Sequence, residues 1–203
     1  MAEWIKQDHV DQLGEQGREQ FDLLLGRVKR MNNLKEGILT YSRVRCSQEK
    51  AGEIDPGEIL EEVVDSLAPP DFIQVTIEKG FPALVAERTR IFQLFQNLLS
   101  NAIKFMDKPA GMIEVGFIQS NGAGEFFVRD NGPGIEERYF EKIFLLFQLL
   151  DARDDVERTG VGLSVVQKIV EMYSGSIRVQ SRLGEGTTFF FTLPQAGTGG
   201  TAK

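Results

Sequence analysis

Near the start of the chain, apolar residues recur in alternating steps of three and four. Phe21, Leu24, Val28, Met31, Leu34, Ile38 and Tyr41 draw one stripe through the segment from about Glu15 to Val44. That pattern predicts a long helix suited to a coiled coil or a helical bundle. Gly26 and Gly37 interrupt it, each weakening a helix by about 1 kcal/mol relative to Ala, so packing against a partner must supply the stability. Upstream, Trp4 and Ile5 suggest the end of another helix, with Gly14 and Gly17 near the turn between the two. Arg45 to Gly52 is polar and reads as a linker.

Beyond the linker the periods change. Asp55-Pro56 has the form of an N-cap followed by Pro at the first helical position, and the helix behind it carries Ile59, Leu60, Val63, Val64 and Leu67 before stopping at Pro69-Pro70. Ile73, Val75 and Ile77 alternate as a strand, Ala83 to Ala86 predict another, and Ile113, Val115 and Phe117 alternate again. Asn121 to Gly124 is a turn from which Phe126 to Arg129 returns as a paired strand. Val161 to Tyr173 is helical. Ile177, Val179, Phe189, Phe191 and Leu193 form a last hairpin around Leu183-Gly184-Glu185-Gly186, and the Gly- and Thr-rich tail from Gln195 reads as disordered. Strands and helices interleave, which predicts an α/β layered domain behind a helical arm.

The helix between the second and third strands is different in kind. Ile91, Leu94, Phe95, Leu98, Leu99, Ala102 and Ile103 share its apolar side, while Asn97, Asn101 and Lys104 align on another. Two amides and an ammonium in a row offer carbonyl oxygens to a hard cation and a positive charge to phosphate. Taken alone, the same spacing also describes an amphipathic core helix with two Asn on its polar face.

Bulk properties narrow the options. The chain has 203 residues, 41% hydrophobic and 26% charged, and a formal net charge of −7. That balance is ordinary for a globular protein and argues against a nucleic-acid surface, so any phosphate site is local. A single cysteine, Cys46, excludes an internal disulfide and a multi-cysteine metal site. No apolar run approaches membrane-spanning length and no apolar signal segment opens the chain, so no membrane contact and a cytoplasmic setting are expected.

Two further motifs keep company with the Asn-bearing helix. Asp130-Asn-Gly-Pro-Gly-Ile135 follows a strand; two glycines around a proline let a ligand lie against bare backbone, and Asp130 can accept a hydrogen bond from an amino group such as that of adenine. Thr159-Gly-Val-Gly-Leu163 opens a helix, where unpaired N–H groups and the helix dipole attract an anion. Between them Phe140 to Arg158, with Phe144, Phe147 and a charged stretch, has the length of a lid.

These elements in this order resemble the ATP-binding catalytic domain of sensor histidine kinases, in the superfamily shared with gyrase-type and chaperone ATPases. Asn97 to Phe105 is similar to the family's N box, Asp130 to Gly134 to its first glycine box, Phe144 and Phe147 to its F box, Thr159 to Leu163 to its second glycine box, and Gly184-Glu-Gly-Thr-Thr-Phe189 to its closing hairpin. The resemblance covers Asp55 to Pro194. It implies a mixed β-sheet covered on one face by helices, with the nucleotide between helices and lid. Residues 1–46 then resemble part of a dimerisation and phosphoacceptor arm, 47–194 the catalytic domain and 195–203 a disordered tail.

By the same resemblance the cofactors are ATP and Mg²⁺. Asn101 would coordinate the metal with Asn97 nearby, Lys104 would meet phosphate, and Phe105 would border the nucleotide. Asp130 would hold the adenine amine, with Gly132, Gly134 and Ile135 beside it. Phe147, Thr159, Gly160, Val161, Gly162, Leu163 and Thr187 would complete the nucleotide site. Expected partners are a second copy of the chain through the arm, a histidine-bearing hairpin and a response regulator.

The match has gaps. The sole histidine, His9, lacks the family's flanking acidic residue and proline and lies too close to Tyr41 for a full two-helix hairpin. The expectation is that the chain begins after the phosphoacceptor and does not autophosphorylate. Leu149 stands where relatives carry Arg, and Arg158 where they carry Gly. A nucleotide-binding regulatory module without transfer activity is the alternative reading. A stand-alone ATPase is disfavoured, because hydrolysing relatives carry Glu in place of Asn97 and an amide cannot take a proton from water.

Overall fold

A computed structural model describes residues 14–43, 49–120, 123–148 and 160–196. The apolar stripe lies on one uninterrupted helix, α1 (Glu15–Arg43), which also contains Gly17, expected in a turn. His9, Cys46 and the Asn121-Gly122 turn lie outside the described residues.

The body begins earlier than its pattern suggested. Gly52, read as linker, opens a three-residue strand β1 (Gly52–Ile54), followed by α2 (Pro56–Leu67). Asp55 caps α2 as expected, its carboxylate accepting from Gly57 N at 2.7 Å, and Ala68 ends the helix in a left-handed conformation. Then come β2 (Ile73–Ile77), β3 (Leu84–Ala86), α3 (Arg88–Lys104), β4 (Gly111–Ser120), β5 (Ala123–Asp130), two short 3₁₀ turns at Glu137–Tyr139 and Lys142–Phe144, α4 (Gly162–Met172), β6 (Ile177–Arg182) and β7 (Gly186–Phe191).

Five strands form the main sheet in the order β2-β4-β5-β7-β6, with β2 and β4 parallel and the rest antiparallel. Helices α2, α3 and α4 contribute Leu60, Leu94, Leu98, Val166 and Ile169 to one continuous core with the sheet residues Ile113, Val115, Phe126, Val128 and Phe191. Phe126 is its centre: it stacks on Phe191 at 5.6 Å between centroids and on Phe81 at 5.9 Å, and meets the edges of Phe95 and Phe117. The opposite sheet face mixes polar residues with the exposed Met112 and Ile118, and its buried rings Phe127 and Phe190 lie under the guanidinium groups of Arg129 and Arg178. This is the α/β fold expected, a mixed sheet with helices on one face.

A second, two-stranded sheet pairs β1 with β3, and it corrects the expected tail. Gln195 bridges to Leu84, Val85 N donates to Pro194 O at 3.1 Å, and Ala196 N to Ala83 O at 2.7 Å. Short composition windows see the glycines ahead; they miss that β3 has an open edge that this segment satisfies. Residues 197–203 lie outside the described residues. Among the described residues no helix is long and apolar enough to cross a membrane.

Candidate functional site

The three motifs converge because α3 lies between the end of β5 and the start of α4. Asn97 and Asn101 are one helical turn apart on α3, both half-buried, with Lys104 and Phe105 at its end. Asn97 Nδ2 donates to Gln93 O at 2.7 Å, which turns Oδ1 toward α4. There the Cα of Gly162 comes so close that an added Cβ would lie 3.0 Å from Asn97 Oδ1 and 3.7 Å from Asn101 Nδ2. A glycine at this point lets bare backbone and two amides share one surface.

Asp130 stands at the last position of β5, across from Thr187 on β7 and Ile113 on β4. Its Oδ1 accepts from Gly132 N at 2.9 Å, and the carbonyl of Phe105 lies 3.8 Å from where a Cβ of Gly132 would be. Burial pushes the Asp130 carboxyl up, against the N–H groups of Gly132 and Thr187, which favour the charged form; Asp107 adds to the rise.

Asn131 and Ser181, given no role from the sequence, hold this bend in place together with glycines of the two motifs. Asn131 continues the strand pairing past β5, donating from its backbone to Met112 O, accepting Met112 N at 2.8 Å and donating from Nδ2 to Ala110 O at 3.0 Å. Ser181 Oγ accepts from Ile135 N at 2.8 Å, donates to Gly186 O at 2.7 Å and lies 3.0 Å from Thr187 Oγ1. Ser181 was discoverable: it is the polar member of the inward-facing series Ile177, Val179, Ser181. Gly184 N donates to Pro133 O at 2.7 Å, and Gly134, at φ +75°, has no room for a Cβ against the carbonyl of Arg182. Gly186, at φ +111°, passes directly against the carbonyl of Asp130.

The segment expected to form a lid is described only at its two ends. Phe144 packs edge-on against Phe189, and Ile143 is buried. Phe147 N donates to Gly160 O at 2.9 Å, with φ of +65° at Phe147 and +64° at Gly160, closing a neck. A Cβ at Gly160 would lie 2.7 Å from the carbonyl of Gln148. Leu149, Arg158 and Thr159 lie outside the described residues. No side chain caps α4 at Val161, while Ser164 Oγ donates to Val161 O at 2.7 Å. The first-turn N–H groups of Gly162 and Leu163 thus have no side-chain acceptor at the cap. Val161 itself is buried with its side chain against α1, so its backbone faces the site and its side chain does not.

Amide oxygens, an ammonium, a half-buried carboxylate at a glycine bend and an uncapped helix start fit a magnesium nucleotide. Among the described residues no group of three His, Cys, Asp or Glu is placed to hold a metal.

Comparison with known proteins agrees with this chemistry. Residues 86–197 match the sequence profile of the family described as histidine kinase-, DNA gyrase B-, and HSP90-like ATPase. Cyanobacterial phytochrome A of Nostoc sp. is 35% identical over 201 residues, covering 95% of this chain and 26% of that protein. The chain thus spans about a quarter of the length of the curated relatives it matches. The catalytic domain of the histidine kinase ThkA, nucleotide-free, superposes with a TM-score of 0.58 at 28% identity over 72% of this chain and 96% of that one. Full-length ShkA, solved in complex with AMPPNP, gives a TM-score of 0.67 at 23% identity over 91% of this chain and 40% of that one, a likeness of fold that includes the arm.

Proposed function

The chain belongs to the histidine kinase-, DNA gyrase B-, and HSP90-like ATPase family as an ATP-binding domain of the histidine kinase type, and on that premise we propose that it binds Mg-ATP and transfers the γ-phosphoryl group to a histidine supplied by another chain. The observation that carries this reading is the meeting of Asn97, Asn101 and Gly162 on one surface, with Asp130 and Gly132 at its other end. Magnesium bound with the nucleotide neutralises charge between phosphates. Asn101 offers an amide oxygen to that ion, Lys104 a charge to the phosphates, and the N–H groups of Gly162 and Leu163 a place for phosphate oxygen. Asp130 accepts from the amine of the base. Phosphoryl transfer asks little more of a protein than positioning and electrostatics. Asn97 is turned by its bond to Gln93 and carries no carboxylate to activate water, which favours transfer over hydrolysis.

We read residues 1–46 as arm, the chain from 47 through at least Ala196, which pairs with β3, as catalytic domain, and the chain as unable to phosphorylate itself. The test is calorimetry with Mg-ATP, followed by incubation with radiolabelled ATP and a histidine-bearing hairpin from a kinase of this type. Binding in the micromolar to sub-millimolar range with label on the hairpin is expected. Binding without transfer would leave a nucleotide-sensing module in its place; no binding would reject the reading.

The arm supports a homodimer. Leu24, Val28, Met31 and Ile38 are all exposed along one line of α1, more apolar surface than a helix leaves in water without cover. Multi-angle light scattering is expected to give the mass of a dimer, and Met31→Glu with Ile38→Glu to give a monomer. A wild-type monomer at high concentration would contradict this.

A further inference from the structure

The arm has a second line, and it faces inward. Leu34, Gly37 and Tyr41 are half-buried where Met31 and Ile38 are not. Tyr41, in the last turn of α1, packs against the core of the body. Lys168 of α4 donates from Nζ to the Tyr41 carbonyl at 2.7 Å and lies 3.7 Å from the centroid of the Tyr41 ring. An ammonium is thus held by an end-of-helix carbonyl and an aromatic face together.

One turn back, Gly37 meets Val161. A Cβ on Gly37 would stand 2.7 Å from Val161 Cγ2 and 3.2 Å from its Cβ. The first distance is too short for real atoms and the second is tight, so either Val161 or the arm must shift. Val161 is buried and β-branched, so it has no other rotamer to retreat into cheaply. Its neighbours in sequence are Gly160, whose backbone lies against Phe147 and Gln148, and Gly162, whose backbone lies against Asn97 and Asn101. Two glycines leave this segment conformationally free, and the Val161 side chain is the one handle by which packing can hold it.

We infer that Gly37 is a positioning residue: its bare Cα is the notch in which Val161 seats, so that docking of the arm sets the segment 160–162 and is coupled to nucleotide binding there. This rests on the nucleotide reading above. A docked arm removes freedom from the segment before the ligand arrives, which tightens binding; by linkage, bound nucleotide holds the arm in place to the same degree.

Gly37→Ala separates this role from a merely structural one. Alanine strengthens a helix, so if Gly37 matters only to α1 the variant is more helical and otherwise unchanged. If Gly37 is the notch, the added methyl lifts the arm from α4. Hydrogen exchange in the segment 160–168 of the unliganded chain should then be faster by about tenfold, and Mg-ATP affinity weaker by about fivefold or more, the low end of common coupling between sites. Val161→Ala makes room for that methyl, so Gly37→Ala with Val161→Ala should lose less than the sum of the two single changes. Wild-type exchange and affinity in Gly37→Ala, or additive losses in the double variant, would overturn the inference. A wild-type chain that binds no nucleotide would overturn the nucleotide reading, and with it the coupling, while the exchange comparison would still decide whether the notch exists.

Discussion

Asp130→Asn is expected to abolish useful nucleotide binding and, at neutral pH, to raise the stability of the unliganded protein. The carboxylate has two duties. One oxygen accepts from Gly132 N, a bond the Asn amide oxygen can keep. The position left for the base is then filled by an NH₂ group, a donor facing the donor it should receive. Hydrogen bonds to charged groups contribute about 1.5–3 kcal/mol, so affinity should fall roughly ten- to a hundredfold. Stability moves the other way. Burial raises the carboxyl of Asp130, so the folded chain holds its proton more tightly than the unfolded one. The cost of the buried charge is therefore absent below the ordinary carboxylate range and grows as pH rises through the raised folded value. The wild-type protein loses that much stability on the way to neutral pH; the Asn variant does not. Urea midpoints of both proteins at about pH 4 and about pH 7.5 check this: the variant's advantage should be larger at the higher pH. A variant that binds Mg-ATP as the wild type does would remove Asp130 from the site.

Gly186→Ala should be severely damaging, destabilising the chain by about 2–6 kcal/mol. Its φ of +111° is a conformation that L side chains avoid, a strain of roughly 1–3 kcal/mol. In addition its new methyl has no room against the carbonyl of Asp130, and such overpacking costs about 1–3 kcal/mol more. Gly184 is the natural control. It too has a positive φ, +78°, but nothing lies within 4 Å of the place its Cβ would take. Gly184→Ala should show the backbone cost alone, about 1–2 kcal/mol. Urea unfolding of the two variants isolates the clash, and equal midpoints would show that β7 can yield at Gly186. Because that methyl presses on the backbone of Asp130, nucleotide affinity should fall in Gly186→Ala and hold in Gly184→Ala.

Some of this was legible in the chain itself. The apolar faces of α2 and α3 and the alternation along β2 and β4 are local patterns with periods set by backbone geometry, and they place the same residues in the core or packed against it. Asp55 was readable as a cap because capping is a contact between near neighbours. Asn97, Asn101, Asp130 and the glycines around them stood out through motif order, and the structure brings Asn97, Asn101 and Gly162 within touching distance.

What only the tertiary structure decided lies in contacts between distant segments. Gln195 looked like the start of a loose tail because nothing nearby in sequence signals that β3 has an edge to offer. Ser181 and Gly186 gained their importance from Ile135 and Asp130, brought alongside by the pairing of β5, β7 and β6. Gly37 is the plainest case. Along α1 it is a residue that weakens a helix, and its cost can be read from propensity alone; across space it is the gap that receives Val161. Sequence by itself determined most of the helices and strands, though not β1 or the pairing of Gln195, and which residue types carry the chemistry, because those depend on short-range sterics and hydrophobic period. Where bare backbone must meet another element was settled by packing, since a missing Cβ has a meaning only once the atoms that would have struck it are in place.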